Sequence, residues 1–251
     1  MTATGSALIR RRTAVFLEVV VRRLQSLTPL GPEAIALIRG LDNAQTHPSG
    51  AELNGEPCAM PRPRFLLTGW AARMRWLSDG RRQIMGFILP GEAIGVCLRP
   101  HPMALAATVA LTSLITVDAA PVLEAMHHPN QAPGLVEALR VASAMDEAML
   151  LDQVVRLGRQ TAFERICHLL LELRDRLGDV GLVHNGSFPL PLTQEVMADA
   201  TGLSVVHVNR ILQQLRRKKL LDLRAGHATL LDPEQVQVAA DYHRPQPAAW
   251  L

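Results

Sequence analysis

Residues 193–215, TQEVMADATGLSVVHVNRILQQL, carry a set of side chains that could make hydrogen bonds to a polymer of bases. Ser204, His207, Asn209, Arg210 and Gln214 are polar and fall between apolar positions at helical spacing. Laid along one exposed helix face, such groups present donors to base edges in a major groove. Double-stranded DNA is therefore the expected partner. No set with catalytic chemistry competes. The chain has no Gly-x-Ser-x-Gly, no phosphate loop and no His-Glu-x-x-His, and nothing in the spacing joins its Ser, His and Asp residues. No enzyme activity is expected.

Reading bases needs a rigid mount. Ala198, Gly202, Val208 and Ile211 lie four, six and three residues apart, which lets two short helices meet at a steep angle. Ala198 is small where the second helix crosses. Gly202 sits in the tight turn, where a positive φ would penalise a Cβ. Val208 and Ile211 form the i, i+3 pair that packs the second helix down. Arg216, Arg217, Lys218 and Lys219 follow that helix and suit backbone phosphates, which set affinity rather than sequence.

The 251 residues are enough for two small domains or one large one, and at 48% hydrophobic they can fill a real core. Aromatics are only 4%, against a surface that stacks single-stranded bases. The net charge of +3 does not by itself argue for nucleic acid. Cys58, Cys97 and Cys167 are scattered and odd in number. Neither a disulfide framework nor a zinc site is expected, and the cytoplasm is the expected compartment. No signal peptide is expected, because Arg22 and Arg23 interrupt the apolar run after Arg10–Arg12. Met103–Leu123 is long enough to cross a membrane, but Thr108, Thr112, Ser113, Thr116, Asp118 and Pro121 favour buried strands.

The mount sits at the end of an ordered series of elements. Residues 8–41 read as two helical segments, marked by Leu8, Val15, Val19, Leu24 and Leu27, then by Ile35, Leu37, Ile38 and Leu41 with Pro32 in a first turn. Residues 45–63 read as turns and short strands. Arg64–Thr68, Ala71–Leu77 and Arg82–Leu89 are candidate strands punctuated by Gly69, Ser78-Asp79-Gly80 and Pro90-Gly91-Glu92. Short strands separated by turns suggest a barrel or jelly roll. From Gly134 to Arg156 the pattern is helical, with Leu135, Leu139, Ala142, Met145 or Asp146, Met149 and Gln153 as a candidate coiled-coil seam or, alternatively, the face of an amphipathic helix lying on the barrel. Gly158 is a candidate break. A helix over 161–177 would bury Phe163, Ile166, Leu169, Leu170 and Leu173. Leu220–Arg224 and Ala228–Leu231 about Gly226 read as a two-stranded wing. Asp232 and Pro233 start another helix, and the residues from His243 on read as frayed.

This order, with Thr161-x-x-x-Arg165-Ile166, Leu192-Thr193-Gln194-x-x-x-Ala198-x-x-x-Gly202-Leu203-Ser204, Gly69-Trp70, Asp79-Gly80-Arg81 and Leu89-Pro90-Gly91-Glu92, resembles the CRP/FNR family of bacterial transcription regulators. The resemblance implies an α+β fold in three parts. Residues 1–133 would form a helical lead-in and a cupin-like, cyclic-nucleotide-binding-like β-roll sensor. Residues 134–158 would form the dimerisation helix and hinge, and 159–251 the winged helix-turn-helix. It implies a homodimer through helix 134–158 on palindromic DNA, with RNA polymerase as a further partner and an effector held in the roll. Arg210 matches the family's base-reading arginine and can fork onto a guanine. The DNA-binding set is then Thr193, Ser204, Val205, Val206, His207, Asn209, Arg210, Gln214, Arg217 and Lys218.

Two departures shape the expectation. Cyclic-nucleotide binders of the family carry Gly-Glu and, about ten residues on, an Arg-Ser or Arg-Thr pair for the phosphate. Here Gly91-Glu92 is present, but His101-Pro102-Met103-Ala104-Leu105 has no arginine, and Arg99 comes too early. A buried phosphate without a cation is costly, so the effector is expected not to be cAMP. Glu92 is either an effector ligand or a turn residue. Three scattered cysteines do not make the four thiolates of an iron–sulfur cluster, and no cofactor or metal is expected. Val205 and Val206 replace the family's usual readers, so the half-site should differ, with a thymine methyl as a fitting contact. The alternative reading is a ligand-binding or haem-based sensor module of the same fold with weak or lost DNA binding. Its candidate haem ligands are His47, His101, His127, His128 and Cys58.

Overall fold

The computed structural model describes residues 16–55, 58–59, 62–96, 103–104, 106–128 and 132–246. Leu8 and Val15 of the first expected helical segment, Arg10–Arg12, Cys97, Arg99, His101 and the last residues of the tail, 247–251, lie outside them. The chain forms two compact units, one of residues 1–72 with 88–144, the other of 73–87 with 145–251.

The first unit is a β-roll with helices on one sheet. Helix α1 (16–25) buries Leu17, Val20, Val21 and Leu24. After it α2 (Pro32–Arg39) starts on Pro32, whose missing N–H is harmless in a first turn. Their apolar faces share a core with Phe65, Leu67, Val117, Val122 and Leu135. The strands are β1 (Gln45–His47), β2 (Glu52–Asn54), β3 (Cys58–Ala59), β4 (Arg64–Thr68), β5 (Ala71–Trp76), β6 (Arg82–Ile88), β7 (Ala93–Ile94), β8 (Met103–Ala104), β9 (Ala107–Ala110) and β10 (Leu114–Asp118), followed by the short α3 (Ala120–Ala125). They order as β1-β10-β4-β7, β2-β9-β5-β6 and a β3-β8 pair. Alternation along β4 and β10 sends Phe65, Leu67 and Val117 to the helices and Leu66 and Leu114 to the roll interior. Thus the described residues of the stretch 103–123 form β8, β9, β10 and the start of α3 rather than one long helix. Among the described residues no helix is long and apolar enough to cross a membrane.

Gly69 shows why the roll's corner has its sequence. Its φ is +80°, and a Cβ there would lie 2.4 Å from the Ser113 carbonyl oxygen. Trp70 follows, buried, with its N–H donated to Thr112 Oγ1 at 2.9 Å. Between β5 and β6, Leu77 N–H donates to the Arg81 carbonyl at 2.7 Å and Asp79 accepts from the Arg81 N–H, closing the hairpin expected at Ser78-Asp79-Gly80.

The second unit holds the body of that hairpin and the C-terminal elements: α4 (Leu135–Arg159, whose first part belongs to the first unit), α5 (Ala162–Asp179), β11 (Ser187–Pro189), α6 (Gln194–Thr201), α7 (Val205–Arg217), β12 (Leu221–Arg224), β13 (His227–Leu230) and α8 (Pro233–Ala240). The sequence boundaries at 133/134 and 158/159 follow changes of local pattern. The compact units follow packing, which groups residues 73–87 with the C-terminal elements.

Several sequence expectations change. The candidate seam on α4 is divided: Leu135 and Leu139 are buried in the roll's core and Gln153 within the second unit, while Ala142, Met145, Asp146 and Met149 are half-buried. The apolar residues left outside are Leu150, Leu151, Val154 and Val155, at 44%, 62%, 63% and 53% exposure. Gly158 does not break α4, which runs to Arg159; the break falls at Gln160, ahead of a full capping box between Thr161 and Glu164. Phe163 is only half-buried, while Cys167 and His168 join the buried face of α5. The wing gains a strand, since β11 pairs with β13 in the order β11-β13-β12. The tail is held at its start: Tyr242 is buried against His168, with ring centroids 4.9 Å apart, and Arg244 pairs with Asp179.

Candidate nucleic-acid interface

Each helix of the 193–217 motif is capped by its own sequence. Thr193 Oγ1 accepts from the Val196 N–H at 3.2 Å and starts α6. Gly202 ends it in the left-handed conformation, φ +64°, with Leu157 Cδ2 3.1 Å from where a Cβ would sit. Ser204 Oγ accepts from the His207 N–H at 3.3 Å and starts α7. Met197, Ala198, Val208, Ile211, Leu212 and Leu215 are buried where these helices pack. Ala198 is buried in that packing, and Gly202 sits against Leu157 of α4 and Arg165 of α5.

The C-terminal end of α6 is bound from three directions. Its last carbonyls have no intrahelical partner, as at any helix end. The Gln83 amide of β6 donates to the Asp199 carbonyl at 2.8 Å. Gln153 of α4 donates to the Ala200 carbonyl at 2.7 Å. Arg165 of α5 donates to the Thr201 carbonyl at 3.0 Å. Arg82 adds an ion pair to Asp199 at 2.5 Å. Four side chains on three elements therefore hold the first helix of the motif in place. Gln153 is polar at a buried position of α4 because it serves this end.

The opposite face of α7 is open. Val205, Val206, His207 and Arg210 are exposed, Val206 at 78%. Arg210 makes no hydrogen bond or ion pair among the described residues. The Ser204 hydroxyl receives the His207 backbone N–H and lies 3.0 Å from His207 Nδ1. The Nε2 side of the ring is left facing away from that contact. Asn209 is half-buried and shares its amide with Gln194 and Gln213. Gln214 is half-buried, while Gln213 is exposed. Sequence reasoning passed over Gln194 and Gln213. The 100° step per residue separates neighbours by face, and counting in threes from Arg210 reaches Gln213.

The basic run divides by role. Arg216 donates to the Leu223 carbonyl of the wing at 3.0 Å. Lys218 Nζ stands 5.2 Å over the Phe163 ring. Arg217 is exposed. Thus two of the four cations hold α7 to its own domain.

The expected effector residues lie in a turn of the roll. Gly91 has φ +92° and donates its N–H to the Leu66 carbonyl at 2.7 Å. Glu92 Oε2 accepts from the Leu89 N–H at 2.9 Å, closing the 89–92 turn. Of the haem candidates, His47 Nε2 lies 3.0 Å from Thr116 Oγ1, and burial, then the Arg64 charge, lower its pKa. His127 and His128 are exposed. Cys167 is buried, and burial pushes its thiol up to about 12, far from the thiolate a metal requires.

Residues 164–238 match the model of the Crp-like helix-turn-helix domain. The chain is 30% identical over 178 residues to the nitrogen fixation regulation protein FixK of Bradyrhizobium diazoefficiens, a match covering 70% of this chain and 72% of FixK. It is 34% identical over 172 residues to the transcriptional activator protein FnrL of Cereibacter sphaeroides, covering 63% and 64%. Among solved structures, FixK2 from Bradyrhizobium japonicum superposes with a TM-score of 0.68 at 26% identity, covering 83% of this chain and 98% of FixK2.

Proposed function

The chain belongs to the CRP/FNR family of transcription regulators, and on that premise we propose that it reads a palindromic operator as a homodimer through α7. Its helix-turn-helix is a DNA-binding module. Two copies of α7 would enter successive major grooves roughly 34 Å apart. The observation that carries this reading is Arg210, exposed and unpaired on the open face of a helix whose other face is locked down. Arg210 forks onto a guanine, Val205 and Val206 meet thymine methyls, and His207 and Asn209 reach bases or phosphate. Thr193 and Ser204 act first as caps that bring helix N-termini toward the backbone. Arg217 and Lys218 hold phosphates, Lys218 within reach of its Phe163 platform, and Gln214 lies beside them.

Dimerisation uses α4 by the face carrying Leu150, Leu151, Val154 and Val155. These repeat at four-residue steps, and a symmetric pairing would cover them on both copies at once. The functional division is then a sensor over 1–133, a dimer helix over 134–158 and a reading domain over 159–251. The effector is not cAMP, because the stretch after Gly91-Glu92 lacks the phosphate arginine and Glu92 closes its own turn. The protein works in the cytoplasm, with RNA polymerase as its further partner.

The test compares binding to a selected operator and to scrambled duplex. Arg210→Ala should abolish the preference for the operator, whereas Arg217→Ala should weaken both equally. Equal loss on both duplexes for Arg210→Ala would refute the assignment.

A further inference from the structure

A chain of three side-chain amides crosses the motif. Gln194 is the first residue of α6; Asn209 and Gln213 lie one turn apart on α7. Asn209 Nδ2 donates to Gln194 Oε1 at 3.0 Å, and Gln213 Nε2 donates to Asn209 Oδ1 at 2.9 Å. The middle amide is therefore tied at both of its ends, on a helix face next to the exposed Arg210.

The groups left over on Asn209 allow a contact with two partners. A primary amide has two N–H donors and two oxygen lone pairs. One of each is spent in the chain, so one N–H and one lone pair remain. Reversing all three amides together leaves the same remainder. Adenine presents N7 as an acceptor and N6–H as a donor in the major groove, and an asparagine that keeps one donor and one acceptor matches both. Guanine offers two acceptors there and can satisfy only the N–H. An unrestrained asparagine would rotate about a broad terminal torsion and would lose freedom on binding.

We propose that Gln194 and Gln213 are positioning residues that fix the Asn209 amide for bidentate recognition of one adenine in each half-site. The proposal rests on the reading that α7 enters the major groove. It adds a specificity role to Gln194, which sits on the other helix of the motif. Discrimination at that base pair then depends on how the two helices pack as well as on the reading helix itself.

The test uses the full chain and duplexes enriched from a randomised pool, followed by titrations on every single-base variant of the half-site and on a scrambled duplex. Asn209→Ala should flatten the preference at one adenine. Gln194→Met and Gln213→Met should each lose roughly tenfold of discrimination at that same position, a share of what a bidentate pair supplies, with scrambled-duplex affinity unchanged. Gln194→Glu keeps an acceptor for Asn209 Nδ2, so it should retain the preference while weakening all duplexes evenly. In the double variant Asn209→Ala/Gln194→Met no further preference should be lost. Full discrimination in both methionine variants at the position Asn209→Ala loses would overturn the positioning role and leave groove reading intact. A wild-type chain with no base preference at any position would instead overturn the groove reading, and the positioning role with it.

Discussion

Replacing Glu172 with glutamine should destabilise the second unit by about 3–5 kcal/mol, the usual cost of leaving a buried charge without its partner. Glu172 lies between two buried guanidiniums. Arg156 from the end of α4 and Arg176 one turn along α5 both bond it, Arg176 Nη1 at 2.7 Å. Arg156 is 2% exposed, and Glu172 and Arg176 are 8% exposed, so water cannot replace the lost charge. Glutamine keeps one acceptor oxygen, and Arg176 keeps its bond to the Phe87 carbonyl at 2.7 Å, which places the loss toward the lower figure. With a urea slope of about 2 kcal/mol/M, a loss of about 3 kcal/mol moves the unfolding midpoint by about 1.5 M. Far-ultraviolet circular dichroism through a urea titration reads this directly. Burial pushes the Glu172 carboxyl up, but Arg156 and Arg176 outweigh it and hold it below the ordinary 4.5. Its contribution is complete above that value and is lost as pH falls through the lower folded value, so variant and wild type should converge only in acid. The triple replacement Arg156→Met, Glu172→Leu, Arg176→Met should recover most of the loss, since no charge is then stranded. A midpoint shift under about 0.5 M for Glu172→Gln, a third of that worked above, would refute the reasoning.

The His168 ring is held down to about 4 by burial and then by the Arg156 charge, so the unfolded chain takes up its proton first. Stability from this group is whole above the ordinary 6.5 and falls as pH drops from there toward 4, by at most about 1.4 kcal/mol per pH unit; a ring resonance titrating near 6.5 in the folded protein would contradict it. Leu151→Glu with Val155→Glu should give a folded monomer by sedimentation velocity, because two charges would face their symmetry copies. A dimer of unchanged affinity would remove α4 from the interface.

The reading motif was legible because its constraints are local. A capping Thr or Ser, a glycine at positive φ and a small residue at a crossing each act within a few positions. The roll's turns were legible for the same reason, through Gly69 and Asp79-Gly80. The facing of α4 was not. The helix carries two apolar stripes, one through Leu135 and Leu139 and one through Leu151 and Val155, and only packing decides which stays outside. Gln153 belonged to neither rule, because its partner is a carbonyl 47 residues away. Strand β11 escaped notice because three residues ending in Pro189 carry no usable alternation. Its place comes from pairing with β13. The amide chain needed coordinates as well, since Gln194 and Asn209 meet only after the two helices cross.

The bonds at the end of α6 also decide what a salt titration can report. Gln83 and Gln153 are neutral amides meeting carbonyls, so mobile ions neither screen nor compete for those bonds as they do for phosphate contacts. Rising ionic strength would therefore strip cations from DNA while these two bonds persist. Arg82–Asp199 and the Arg165 bond carry charge there, and both are partly shielded from solvent. The slope of binding against salt would then count released counterions at the phosphates, about 0.9 per contact, with little admixture from loosening of the motif itself.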